Sequence, residues 1–383
     1  MLKAARPSWQ VKEFDKPLVT ASYFGFMPIA CPKINEVDLA AAKHCVPYLH
    51  YDAAEKASLI RTYQEEDFAS LPHPLALAYK RRKPAGYSLH YIGTSSGIAE
   101  AALIRAALSI LAEEGHENMR VELNCIGDKD SLSAYERELV NYVRKTNPTL
   151  STPLRDSLKE DIFNLFRREE EEVIHLREGA PSALSFLTTP SRNHFKEVLE
   201  FIEGLGIEFG LSPQLIGEKN HASHTIFGIR AAGGEREVSS QPDSFLAVGY
   251  RYSRLGKRLG LRKEVPMASI SIFSQEKDMA KKVYKELPKP KFYLIQLGRE
   301  AKIKTLGLIE MLRHERIPVH HFLGKDKLSF QLGSAESLRV PYLIIIGHKE
   351  ALDGTATIRN MSTRAQDTIP LGVLPNYLKR IKL

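Results

Sequence analysis

The chain has 383 residues, of which 43% are hydrophobic and 26% charged, which is enough for two or three domains with sizeable cores and excludes a disordered chain. No apolar run approaches the ~20 residues that a membrane-spanning helix needs, and the first residues lack the apolar centre of a signal peptide. Three cysteines far apart fit neither a disulfide framework nor a metal clip. We therefore expect a soluble, cytoplasmic protein.

The positive charge is concentrated towards the C-terminus. The chain has a formal net charge of +8, and residues 291–383 hold 15 basic and 8 acidic residues, a net +7. A small basic unit on a nearly neutral body fits a polyanionic partner, most simply a nucleic acid. It also fits a basic surface that is only solvated, and charge by itself does not decide between the two.

Up to about residue 287 the patterns are those of an α+β domain. Residues 98–113 are apolar on most of the helix circumference and predict a buried helix, and 120–125 predict the strand that follows. Further predicted elements are a charged helix at 158–178, a helix at 191–203, and strands at 225–231 and 244–249. Because helices and strands come in clusters and do not alternate strictly, we expect an antiparallel sheet.

A boundary falls at Pro288 and Pro290, which end a helix predicted at 279–287 and form a stiff linker. We therefore divide the chain into domains 1–287 and 288–383. The second contains predicted strands at 292–297, 319–323, 341–347 and 355–361, and predicted helices at 301–315, 327–338 and 374–381. This β-α-β-α-β-β-α order predicts a small α/β domain with a mixed sheet covered by helices.

Motifs for phosphate and metal sites are weak. The sequence has neither a phosphate loop nor a dinucleotide fingerprint, and the stretch 93–97 fits a helix cap better than an anion site. His221 and His224 stand three residues apart without a third ligand nearby. His320 and His321 point to opposite faces of a predicted strand. We therefore predict no metal site.

Several segments, in a fixed order, carry a resemblance to a known family. They are VELNCIGDKDSLSAYERELVNYVRK (121–145), TPLR (152–155), the stretch 215–227, GYRYSRL (249–255) and PYLIIIGHKEALDGTATIRNMSTRAQDTIPL (341–371). They resemble segments of the histidyl-tRNA synthetases, class II aminoacyl-tRNA synthetases, and the resemblance runs from about residue 23 to residue 382. It implies a class II synthetase-like domain with an antiparallel sheet, followed by a small α/β anticodon-binding-like domain.

The family's catalytic positions are degenerate in this sequence. The arginine of motif 3 corresponds to Glu276, the arginine of the second histidine-binding motif to Gly217, and its tyrosine pair to His221 and Ala222. Joining two negatively charged reactants, ATP and a carboxylate, needs a clamp of cations, and a carboxylate in their place adds repulsion. The resemblance therefore implies a pocket without a catalytic residue.

Motif 2 of the family is shortened here. Arg81 and Arg82 stand where remnants of its cation would lie, although a solvated loop before Pro84 is the simpler interpretation. The family's histidine-contacting residues correspond to positions near Gly86 and His90. Arg251 keeps its family position, and without its partners we expect it to serve structure.

Three functions remain open at this stage. The leading hypothesis is a non-catalytic, regulatory protein that binds tRNA, another RNA or a partner protein and needs no cofactor. The second is a divergent histidine–tRNA ligase that uses ATP and Mg²⁺, with cations from Arg81, Arg82 or Arg254. The third is an interaction subunit like the synthetase-like regulatory subunit of ATP phosphoribosyltransferase, which typically lacks the C-terminal domain found here.

Two kinds of partner surface are predicted. Lys325 and Lys327 flank the start of a predicted helix, and Arg359 and Arg364 lie in and after the strand that resembles the anticodon-facing part of the family domain, so we expect RNA contacts there. Residues 23–35 (YFGFMPIACPKIN) correspond to motif 1, through which the family pairs, so we expect a homodimer. The alternative is that these apolar residues complete the protomer's own core.

Overall fold

The computed structural model describes residues 9–42, 53–146, 150–168, 170–217, 222–231, 245–274 and 282–381. The helices of the first domain are α1 (Lys16–Tyr23), α2 (Glu36–Ala42), α3 (Ala53–Glu65), α4 (Ile98–Glu113), α5 (Lys129–Thr146), α6 (Thr152–Glu160), α7 (Glu171–Glu178), α8 (Thr189–Gly204) and α9 (Ser253–Arg258). Its strands are β1 (Met27–Pro28), β2 (Leu75–Arg82), β3 (Ala85–Ile92), β4 (Met119–Gly127), β5 (Phe209–Leu211), β6 (Ser223–Ala231), β7 (Ala247–Arg251) and β8 (Met267–Phe273).

These strands form one eight-stranded sheet in the order β1-β2-β3-β8-β7-β6-β4-β5. The strands from β2 to β4 in this order run antiparallel to their neighbours, and only the outermost pairs, β1 with β2 and β4 with β5, are parallel. The predicted α+β fold with an antiparallel sheet is therefore confirmed.

Helix α4 is buried against one face of this sheet, as its apolar circumference predicts. It contacts β3 and β8 beneath it, and α1, α8 and a helix of the second domain around it. Alanines at 99, 101, 102, 106 and 107 are fully buried, and their small side chains allow close contact on several sides. The other face of the sheet carries a second apolar core, to which α3, α5, α6, α7 and α9 contribute.

The single charged helix predicted at 158–178 is wrong. In its place the described residues form α6, a short 3-10 turn at Ile162–Phe166, and α7. Asp161 has an extended backbone and its side chain accepts a hydrogen bond from the Phe163 N–H at 3.1 Å, which starts a new turn. The apolar residues of this turn are buried together in the second core, so local capping and packing override the longer helical pattern.

The helix predicted at 279–287 is also wrong where it is described. Residues 275–281 lie outside the described part of the chain, and 282–287 are not helical. Tyr284 instead forms an isolated bridge with Phe14, with backbone hydrogen bonds of 2.9 and 2.7 Å between them. The segment that leads into the second domain therefore pairs with the N-terminal segment of the chain.

The second domain confirms the predicted mixed sheet. Its strands are β9 (Phe292–Gln296), β10 (Val319–His321), β11 (Tyr342–Ile346), β12 (Thr355–Asn360) and β13 (Gln366–Pro370), in the order β10-β9-β11-β12-β13. The first three of that order are parallel and the rest antiparallel. Its helices are α10 (Arg299–His314), α11 (Leu328–Ser337), α12 (His348–Asp353) and α13 (Leu374–Arg380). The sequence pattern missed α12 and β13, which are short.

Helix α10 attaches the second domain to the first. It contacts α1 and α4, and its Ile309 and Leu312 belong to the same apolar core as the residues of α4. Arg313 pairs with Glu310 at 2.8 Å and also with Glu113 of the first domain. The core therefore continues from one domain into the other, with an ion-pair network at its edge.

The segment predicted to form a dimer contact is largely internal. Phe24, Phe26 and Ile29 are 0, 1 and 1% exposed, so they complete the protomer's own core. Exposed apolar side chains follow directly at Ile34 and on α2. Among the described residues, no helix combines the length and the apolar character needed to cross a membrane.

Candidate functional site

A buried polar cluster lies between α3 and the strands β2 and β3, and its core is Glu55, Tyr79, Arg81, Ser88 and His90. Side chains alternate along a strand, so Tyr79 and Arg81 share a face of β2, and Ser88 and His90 share that face on β3. The antiparallel register places Tyr79 opposite Ser88 and Leu77 opposite His90. The structure thus brings together two of the residues singled out from sequence, Arg81 and His90.

Glu55 of α3 is the centre of this polar cluster. Its carboxylate accepts hydrogen bonds from the hydroxyls of Tyr79 at 2.8 Å and Ser88 at 2.5 Å. Oε2 lies 3.7 Å from Nη1 of Arg81, and both side chains are at most 5% exposed. A buried carboxylate is expensive unless hydrogen bonds and a counter-charge compensate it, and here both are supplied.

Arg81 is 2% exposed, so its guanidinium is directed into the protein. Nη2 donates a hydrogen bond to the carbonyl of Ile272 at 2.8 Å, and the guanidinium carbon lies 5.1 Å from the centroid of the Phe273 ring. The solvated-loop interpretation of Arg81 is therefore wrong: the residue lies within β2, one position before its end, and its side chain points inward. The side chain of Arg82 lies outside the described part of the structure.

His90 is held between two tyrosines. Nε2 lies 3.0 Å from the Tyr79 hydroxyl and Nδ1 lies 2.8 Å from the Tyr252 hydroxyl. Because Tyr79 donates its own proton to Glu55, His90 donates from Nε2 to Tyr79 and accepts at Nδ1 from Tyr252. Burial, together with the charges of Lys56 and Arg81, holds the pKa of His90 well below its usual value, so the ring is neutral.

Helix α3 closes this part of the sheet face. Residues 53–60 are all buried, including the charged Glu55 and Lys56. Lys56 is 1% exposed, and its Nζ lies 5.5 Å from the centroid of the Tyr250 ring. No residue of the cluster just described reaches solvent to serve as an acid, a base or a phosphate ligand in this arrangement.

Arg251 points to the opposite face of the sheet. Its Nε and Nη2 lie 2.6 and 2.7 Å from the two carboxylate oxygens of Glu100 on α4, and Nη1 donates to the carbonyl of Thr94 at 2.9 Å. Burial disfavours the charged carboxylate, but Arg251 and His194 outweigh it and hold the pKa of Glu100 far below its usual value. Arg251 thus ties β7 to the start of α4, a positioning role.

The loop 93–97 is a helix cap, as predicted. Glu197 of α8 accepts hydrogen bonds from the Gly97 N–H at 2.9 Å and from the Ser96 hydroxyl at 2.7 Å. A carboxylate of this protein therefore occupies the start of α4, where the helix dipole favours negative charge.

The remaining pocket positions are only partly described. Gly217 is buried at the end of a segment that Asn124 of β4 holds by donating from Nδ2 to the Leu215 carbonyl at 3.0 Å. His221 and Glu276 lie outside the described residues. Within the described residues, no group of three or more His, Cys, Asp or Glu side chains is placed to hold a metal ion.

Three of the four residues predicted to contact RNA lie at two ends of the second sheet. Lys325 and Lys327 lie in the turn before α11, beyond the carboxyl ends of the parallel strands. Arg364 lies between β12 and β13 at the opposite end, since Asn360 of β12 pairs with Tyr342 at the start of β11. The two groups are thus separated by the length of a strand, about 15 Å.

Arg359 lies between these two ends on β12. It is half-buried and stands opposite Gln366, while Thr357 stands opposite Thr368. The alternate residues of β12, Ala356 and Ile358, are buried in the core on the other side of the sheet. Residues directly opposite one another share a face, so Thr357, Arg359, Gln366 and Thr368 form one polar surface. We call it the polar face of β12–β13.

A pair of buried glutamines positions the turn that carries Lys325. Gln331 accepts from the Gln296 N–H at 3.2 Å and donates to the Gln296 carbonyl at 2.9 Å, and Gln296 donates to the Phe322 carbonyl at 2.7 Å. Both glutamines are 0% exposed. Neither glutamine was predicted from the sequence, although a glutamine at the end of the apolar strand FYLIQ is the signal that would have indicated one of them.

Coupling between Glu55 and Arg81 can be measured. Arg81→Met is expected to lower the free energy of unfolding by about 3 kcal/mol, because it leaves a buried carboxylate without its nearby cation. The double variant Glu55→Gln/Arg81→Met should lose clearly less than the sum of the two single variants. Urea unfolding followed by circular dichroism tests this, with the exposed Arg137→Met as control. Additive losses would contradict the coupling.

Comparison with known proteins agrees with this architecture. A family model described as an anticodon binding domain matches residues 291–381. A histidine–tRNA ligase of Elusimicrobium minutum (strain Pei191) is 23% identical over 336 residues, covering 88% of this chain and 78% of that protein. One of Geobacillus sp. (strain WCH70) is 25% identical over 347 residues, covering 84% and 79%.

The fold has a counterpart among solved structures. The crystal structure of apo S. aureus histidyl-tRNA synthetase has a TM-score of 0.50 and 19% identity, and the match covers 94% of this chain and 93% of that one. The chain is thus similar to histidine–tRNA ligases over most of its length, and its residues 291–381 match an anticodon binding domain.

Proposed function

We propose that this chain is a histidyl-tRNA synthetase-like protein that binds tRNA, or another RNA, without forming histidyl-adenylate. The observation that carries the proposal is the burial of Arg81. This arginine, a candidate for the cation of motif 2, is 2% exposed and is engaged by Glu55 and the Ile272 carbonyl. Its Nε and Nη1 have no hydrogen-bond partner among the described residues, but their burial keeps them from a triphosphate in this arrangement.

The chemistry of adenylate formation explains why this burial matters. The reaction brings a carboxylate against a triphosphate, so the site must present cations where negative charge accumulates. Arg81 faces away from solvent, and the sequence places a carboxylate, Glu276, at the motif 3 position. Loss of one such cation costs on the order of 10²–10³ in rate, by analogy with oxyanion-hole donors.

The alternative, an active histidine–tRNA ligase using ATP and Mg²⁺, needs its cations from other residues. Arg254 is one candidate, and its partial burial lowers the pKa of its guanidinium. Its guanidinium stays charged at neutral pH, and its Nη2 is buried without a hydrogen-bond partner among the described residues. The choice between the two functions therefore rests on the pyrophosphate-exchange experiment below.

RNA binding is assigned to the polar face of β12–β13. Arg359 lies on this face, Lys325 and Lys327 lie beyond one end of the sheet, and Arg364 lies beyond the other. A single strand of RNA that crosses the face would meet cations at both ends and hydrogen-bonding side chains between them. Phosphate contacts supply affinity, while splayed bases on the face supply selectivity.

We also propose that the protein forms a homodimer, through α2 and the residue Ile34 shortly before it. Ile34, Val37 and Leu39 are 44, 62 and 57% exposed, an apolar surface next to the segment that resembles motif 1. Asp38 between them is buried and paired with Arg61 at 3.0 Å, which fixes the helix with its apolar side chains outward. A second copy would cover them.

The catalytic part of the proposal is tested by pyrophosphate exchange. Purified protein with histidine, ATP and Mg²⁺ is expected to exchange pyrophosphate no faster than a blank without protein, because Arg81 is buried and a carboxylate stands at the motif 3 position. Arg81→Met should give the same rate as the parent. Histidine-dependent exchange clearly above the blank would refute the proposal and establish the ligase alternative.

The RNA face is tested with the full chain, since α10 packs the second domain onto the first. Charge reversal of Lys327 and Arg364 is expected to weaken tRNA binding and to reduce the salt slope by about 0.7–0.9 for each phosphate that the protein no longer neutralises. The double variant Lys196→Glu/Lys289→Glu, exposed cations away from this face, carries the same charge change as control. Equal weakening in both double variants would refute this assignment.

The dimer is tested by light scattering at micromolar concentration. We expect a mass near twice the 43.1 kDa of one chain. Val37→Glu/Leu39→Glu should reduce it to one chain mass, because charges then face each other across the contact. Val283→Glu, at an apolar residue that is 52% exposed elsewhere, should leave the dimer intact. A parent protein with the mass of one chain would contradict the dimer.

A further inference from the structure

A cavity lies between α5 and α6, and none of its lining residues belongs to the polar cluster around Glu55. Its volume is about 470 Å³, which falls within the range of pockets that hold small organic ligands. Its apolar lining consists of Val140, Val143, Leu150, Leu158 and Ile162. Four of these are 5–8% exposed and belong to the second core, and Val140 is half-buried.

The cavity exists because a turn separates the two helices. Helix α6 packs on the 3-10 turn Ile162–Phe166, and Phe163 of that turn contacts Tyr135 of α5 with ring centroids 5.9 Å apart. The turn acts as a spacer, so the apolar sides of α5 and α6 face each other without interdigitating. Covering such surface is favourable by about 25 cal/mol per Å².

The mouth of the cavity carries cations on both walls. Arg144 comes from α5, and Arg155 and Lys159 come from α6, against the two carboxylates of Glu136 and Glu160. Arg155 donates from Nη2 to the Leu150 carbonyl at 3.1 Å, which holds its guanidinium at the mouth. Guanidinium groups bind carboxylates through paired, charge-assisted hydrogen bonds, which favours an anionic ligand at this position.

We propose that this cavity binds a small organic anion, with its carboxylate between Arg144 and Arg155 and a hydrocarbon or aromatic body on the apolar lining. The body covers Val143, Leu158 and their neighbours, and the carboxylate adds a charge-assisted contact at the mouth. Lys159 is paired with Asp156 at 3.2 Å, so the preference for an anion over a cation rests on the two guanidinium groups. This site is independent of the proposed RNA binding, because its residues lie in the first domain.

Calorimetric titration of the full chain with octanoate tests the proposal, with octylamine and 1-octanol as probes of the same length and different charge. We expect saturable binding of one octanoate per chain, at least tenfold weaker binding of 1-octanol, and none of octylamine. Val140 is half-buried and lines the cavity, so the larger side chain of Val140→Phe should fill it. This variant should no longer bind octanoate, while thermal unfolding shows that the protein remains folded.

A matched pair of substitutions separates the site from general surface charge. Arg144→Gln should weaken octanoate binding about tenfold, because it removes one of the two guanidinium groups proposed to bind the carboxylate. Lys145→Gln changes the next residue, which is exposed and does not line the cavity, and should leave the affinity unchanged. Absence of saturable octanoate binding, equal affinity for 1-octanol, or equal weakening by the two substitutions would overturn the proposal.

Discussion

Helix α4 is buried around its whole circumference, and the rest of the architecture depends on this burial. Its buried residues lie all around the helix, so each side must meet protein. The sheet covers one side, α1 and α8 cover the flanks, and α10 of the second domain covers the outside. The two domains therefore share a core, and the second domain is held in a fixed position by apolar burial, a stronger constraint than a proline linker.

The large sheet uses buried ion pairs differently on its two faces. On the side of α4, Arg251 binds Glu100 with two short contacts and also binds backbone carbonyls, so nearly all of its donors are used for architecture. On the other side, Arg81 lies near Glu55 within a chain of hydrogen bonds that runs through Tyr79 and His90. Replacing either partner alone would leave a buried charge, which explains why such pairs persist once formed.

The cover on the face that carries Arg81 supports the proposal that this protein does not activate an amino acid. The antiparallel sheet is stabilised by what covers it, and α3 with its buried Glu55 and Lys56 provides that cover here. The RNA-binding surface proposed for the second domain is built on a different sheet, so the two properties can separate.

The sequence by itself determined the elements whose pattern is long and local. The bounds of α4, the antiparallel sheet, and the four strands and three helices predicted for the second domain followed from periodicity, because burial on every side or on one face determines the spacing of apolar residues. The similarity to histidine–tRNA ligases followed from the order of several segments. Short elements such as α12 and β13 were missed because they contain too few residues to show a hydrophobic periodicity.

Tertiary structure decided which charged residues meet. Arg81 and Arg251 both lie near the C-terminal end of a strand, yet one faces α3 and the other faces α4, since each strand's register in the sheet fixes its faces. Lys327 and Arg364 are both exposed cations, but the parallel and antiparallel strands between them place them at opposite ends of the sheet. The cavity between α5 and α6 likewise depends on how a turn of five residues packs. Contacts between residues distant in the chain depend on packing, which no local pattern encodes.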